Sequence, residues 1–112
     1  MPNQNESIRE LQGLLVRQFK KLHDSLDDVE DADAAQAIVR EMQEVNHRIA
    51  LTGSLLFAAQ AAELDDKVAA IGKATKKVNA AIAKIQNIQA LLGAMSEFLG
   101  LVDEAIDFAK LL

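Results

Sequence analysis

A chain of 112 residues with a net charge of −5 suits one domain, and with half its residues apolar it can build a core without covalent staples. It has no cysteine, which excludes a disulfide framework and a thiolate metal site and leaves cytoplasmic residence as the expectation. Its only aromatic residues are four phenylalanines, and with alanine and leucine dominant the composition favours helix over sheet.

The first residues, "MPNQNESIRE", lack an apolar segment behind a basic start. No secretory leader is expected, and the first five residues are expected to fray. The single proline is Pro2, and the glycines at 13, 53, 72, 93 and 100 form no Asn-Gly, Asp-Gly or Gly-Gly pair, so hairpin turns have no natural place. A first helix is predicted over 7–29. Ser7 followed by Glu10 reads as a capping box, and Ile8, Leu11, Leu15, Phe19, Leu22, Leu26 and Val29 form one apolar face.

The acidic run that follows offers Asp31 or Asp33 as the cap of a second helix, predicted over 33–62. Its seam is Ile38, Met42, Val45, Ile49, Thr52, Leu56 and Ala59. Residues 49–62 carry no charged side chain. As a helix they would span about 21 Å at 1.5 Å per residue, short of a hydrocarbon layer of about 30 Å. They are therefore expected to lie in mid-bundle, buried on nearly all sides, with small residues letting neighbours approach.

A third helix is predicted over 66–92, with Asp65 or Asp66 as its cap. Leu64, Val68, Ile71, Thr75, Val78, Ile82 and Ile85 repeat every 3.5 residues, the period of a left-handed supercoil. The flanking positions are mostly uncharged, Lys67 being the exception, which suits packing against two neighbours rather than a free coiled coil. After Ile85 the repeat slips, and Ile88, Leu92, Met95, Leu99, Val102, Ile106 and Ala109 resume it. The slip is read as a break near Gly93, with a fourth helix over 95–112. The alternative is an unbroken helix in which Gly93 and Gly100, seven apart, allow a close helix contact. The fold expected is all-α: an antiparallel bundle of three long helices, the third broken to give a fourth.

Candidate chemistry is sparse. Glu44 and His47 stand at i, i+3, as in the ligands of di-iron bundles, but one copy needs a dimer-related second to complete a site. His23 beside Asp24 suits a helix end. Ser7, Ser25, Ser54 and Ser96 lack a nucleophile context, no phosphate-cradling glycine loop occurs, and the paired carboxylates sit in polar company. No enzymatic activity, cofactor or small-molecule substrate is expected.

Charge is polarised along the chain: residues 24–33 hold six acids and no base, and residues 67–84 hold five lysines and no acid. Without arginine or aromatic residues beside them these lysines do not suggest a nucleic-acid groove. Residues 88–112 carry more apolar side chains than a three-helix core needs, a surplus that could close a four-helix core, form a homodimer face or receive a partner helix. The expected function is a protein-interaction module, adaptor-, chaperone- or inhibitor-like. In it Leu91, Met95, Phe98, Leu99, Leu101 and Val102 bury against a second copy or a partner protein, and Lys73, Lys77 and Lys84 orient an acidic partner. A membrane-active bundle that opens to expose 49–62 and 88–102 is the alternative, and a dimeric metal bundle at Glu44 and His47 the third.

Overall fold

The computed structural model describes residues 3–112. Among them there are four helices and no strand: α1 (Glu6–Ser25), α2 (Ala32–Gly53), α3 (Ala62–Ala83) and α4 (Ile88–Ala109), with a single 3₁₀ turn, Leu26–Asp28, after α1. The expected bundle of three long helices, the third broken to give a fourth, is thus four helices of nearly equal length.

Local chemistry sets the ends, often differently from expectation. The α1 cap is Asn5, whose side chain accepts from the Ile8 N–H at 3.0 Å. The Ser7 hydroxyl instead donates to Asp65 on α3, so Asp65 is bonded to a neighbour rather than capping its own helix. Asp31 caps α2 as expected, accepting from the Asp33 N–H at 3.2 Å. The second helix stops at Gly53, nine residues before the expected 62. Thr52 and Ser54 turn their hydroxyls onto the carbonyls of Ile49 and Leu51, at 2.7 Å each, offering the backbone an alternative to further helix. A chain of tight turns through Ala58 follows. The segment 49–62 is therefore a helix end plus a turn, and it is not buried on nearly all sides, since Ala50, Gly53, Phe57, Ala59 and Ala62 are exposed.

The third helix breaks at Lys84–Asn87, at the slip in the repeat, and not at Gly93. Lys84 leaves helical geometry at φ −116°, ψ 50°. Asn87 caps α4 by accepting from the Ala90 N–H at 3.2 Å. Gly93 and Gly100 lie inside α4 with negative φ.

Packing pairs α1 with α2 and α3 with α4 most closely, then α1 with α3, and more sparsely α2 with α4. The two close pairs are antiparallel hairpins, as the bond from the Asn5 N–H to the Leu56 carbonyl and the pairing of Lys77 with Glu97 require. Between hairpins the neighbours run the same way: Ser7 meets Asp65 and Gln18 meets Asn79 across α1 and α3, and Arg48 meets Asp103 across α2 and α4. One end of the bundle thus gathers the start of α1, the α2–α3 turn, the start of α3 and the end of α4. The molecule measures 49 by 21 by 17 Å.

The core is contributed unequally. Helices α1 and α4 bury long stripes, α3 buries Leu64, Val68, Ile71, Ala74, Val78 and Ala81, and α2 buries only Ile38, Val45 and Thr52. On α3 the small side chains flanking the seam are inside the bundle, which fits a helix packed on both α1 and α4.

Candidate interaction surfaces

The residues expected to meet a partner divide into two groups. Leu91, Met95, Phe98 and Val102 are fully buried and Leu99 is 8% exposed, so these five belong to the chain's own core. Leu101 is half-buried and packs against that core. The apolar surplus of residues 88–112 closes the four-helix interior, because the extra helix gives those side chains neighbours that a three-helix bundle would have lacked. An aspartate at 98 would place an unpaired carboxylate there, which folding does not tolerate.

The lysines, by contrast, are on the surface. Lys73, Lys77 and Lys84 are all exposed, and Lys77 reaches Glu97 on α4 at 3.2 Å. Lys77 and Lys84 border an open groove of about 470 Å³ along the α3–α4 seam, floored by Ala80, Ala81, Ala90, Gly93 and Ala94. Lys84 sits at the end of the bundle opposite the α2–α3 turn.

The acidic run also lies at that far end. Asp24, Asp27, Asp28, Glu30, Asp31 and Asp33 are exposed. Asp28, Glu30 and Asp31 border a cleft of about 300 Å³ whose apolar lining includes Val29, Ile85 and Ile88.

The sparsely packed α2–α4 seam is held by charge. Arg48, with its side chain 13% exposed, grips Asp103 through two bonds, Nε to Oδ1 at 2.7 Å and Nη2 to Oδ2 at 3.0 Å. Its Nη1 reaches the Glu44 carboxylate at 2.9 Å. The bond to Asp103 holds the Arg48 guanidinium above its ordinary range, against the opposing effect of burial. Burial raises the nearby Glu41 carboxyl, Glu44 raises it further, and Arg48 offsets part of the rise. Glu44 is thus engaged by Arg48, and His47 beside it is exposed. Among the described residues no three His, Cys, Asp or Glu side chains gather as a metal-binding group.

The sequence reading missed one surface. Phe57 is 65% exposed and Leu111 is 83% exposed, and both stand at the same end of the bundle together with Leu112. The available signal was phase: Phe57 falls off the seam that runs through Thr52 and Leu56, so no continuation of the helix would have buried it. Among the described residues no helix is long and apolar enough to cross a membrane.

Fold and surface together define a class, an all-helical protein of four packed helices with an apolar end and a lysine-bordered side. Comparison with protein-family models, curated proteins and solved structures gave no match to the chain.

Proposed function

We propose that the chain is a non-enzymatic helical interaction module whose binding surface is the bundle end bearing Phe57, Leu111 and Leu112. The observation that carries this reading is the exposure of Phe57, the largest apolar side chain on the surface, on a turn whose backbone is fixed from beneath by Asn5. An exposed aromatic ring on an immobilised turn loses little entropy on docking, the usual situation of an interface anchor. The apolar face of α4 is committed to the fold, so recognition falls to this end. The partner is a protein with an apolar pocket for the ring.

The test is capture from an extract of the producing cells, with the whole chain and a Phe57→Asp/Leu111→Asp variant as paired baits. A specific protein retained by the first and lost by the second, with both helical by circular dichroism, supports the reading. Equal retention by both baits places recognition elsewhere.

A further inference from the structure

A second surface stands apart from the apolar end, and its features point to another copy of this chain. Gly93 and Gly100 lie on the outward side of α4, both exposed, both in ordinary helical geometry. A Cβ at either would meet nothing within 4 Å. Glycine is among the costliest residues in a helix interior, and here neither backbone conformation nor a neighbour within the chain requires it. Gly93 also floors the open α3–α4 groove of about 470 Å³.

Charge indicates what fits there. The first half of α4, residues 88–96, carries no charge and is bordered on α3 by Lys77 and Lys84. Its second half carries Glu97, Asp103, Glu104 and Asp107, of which Asp103 is held by Arg48 on α2. An antiparallel two-fold pairing of α4 with α4 that sets Gly93 against the partner's Gly100 sets Glu104 against the partner's Gln89. That level belongs to Lys84, which shares the groove with Ala90. The symmetry repeats the attraction, so each copy offers one acid and one lysine. Near the axis the two Glu97 side chains approach, and each is already held by its own Lys77 at 3.2 Å.

We propose that the α3–α4 face is a homodimer contact, with α4 packed antiparallel on α4, glycine against glycine, and Glu104 of each copy facing the partner's Lys84. This contact is separate from the end bearing Phe57, so either reading can fail without the other.

The experiment is sedimentation equilibrium of the whole chain up to about 1 mM, the weak end of specific association. The wild type should dimerise. Gly93→Gln/Gly100→Gln should be monomeric and yet melt at a higher temperature when both chains are compared dilute, a combination that misfolding cannot produce. Lys84→Glu alone and Glu104→Lys alone should each weaken association by about tenfold or more, and the two together should restore it. A wild type that stays monomeric throughout, a glutamine variant that associates like the wild type, or a charge swap without recovery would each overturn the proposal.

Discussion

The side-chain amide of Asn5 ties the start of α1 to the α2–α3 turn. It accepts from the Ile8 N–H, and its Nδ2 donates to the carbonyls of Ala58 and Ala59 at 3.1 and 3.0 Å, while its backbone N–H donates to the Leu56 carbonyl at 2.6 Å. Asn5 is fully buried, so its own amide has no water to fall back on. Asn5→Ala removes a cap and leaves two loop carbonyls unserved. The expected loss is about 2 kcal/mol, read as a lower urea midpoint at an unchanged slope. Glu41 behaves in the opposite sense. Because burial raises its carboxyl above the ordinary range, the folded state binds that proton more tightly than the unfolded chain does. The stability this proton contributes is present below the unfolded value of about 4.3 and is lost as pH rises through the folded one. Glu41→Gln should therefore be more stable than the wild type at neutral pH. Paired urea titrations should show the difference shrinking as pH falls through the folded value and gone well below about pH 4, where Glu41 is protonated in both states.

At the scale of the helices, the sequence showed most clearly what depends on periodicity. The seams through Ile8, Leu11, Leu15 and Leu22, through Ile38 and Val45, and through Leu64, Val68, Ile71 and Val78 are buried where the spacing puts them. Helix ends were less legible, because a cap is decided by competition among nearby side chains. Asn5 outranks Ser7 since Ser7 has a partner in Asp65 that only the folded arrangement of α1 beside α3 provides. Glycine misled for the same reason: Gly93 resembles a helix stop, but the slip in the apolar repeat and the capping Asn87 lie upstream of it. Substitution separates the two positions. Gly93→Pro should cost about 3 kcal/mol or more, as proline does inside a helix, whereas a true break at 93 would accept it with little loss. Thermal melts followed at the helical circular dichroism band give the answer.

The candidate site depends on the whole molecule, and that is why it was the least legible. Whether Phe98 faces a partner or the interior is settled by the number of helices that surround it, and this number is a property of the assembled bundle. The same holds for the α2–α4 seam. Helix α2 buries three residues and packs weakly on α4, so the bond of Arg48 to Asp103 is the main polar connection across that side. Asp103 is half exposed, which places the pair in the partly screened class where a two-bond guanidinium–carboxylate contact contributes about 1 kcal/mol. Arg48→Met should lower stability by about that amount in dilute buffer, and the gap to the wild type should narrow near 1 M salt as screening weakens the wild-type pair. Hydrogen exchange adds a spatial prediction. A loosened seam should release α2 first, with amides around Val45 losing protection before those around Leu15 on α1 or Phe98 on α4, because a helix with few buried side chains has the least to lose by opening. If α2 and α4 instead lose protection together, the bundle opens as one unit, and the charged seam is not where it parts.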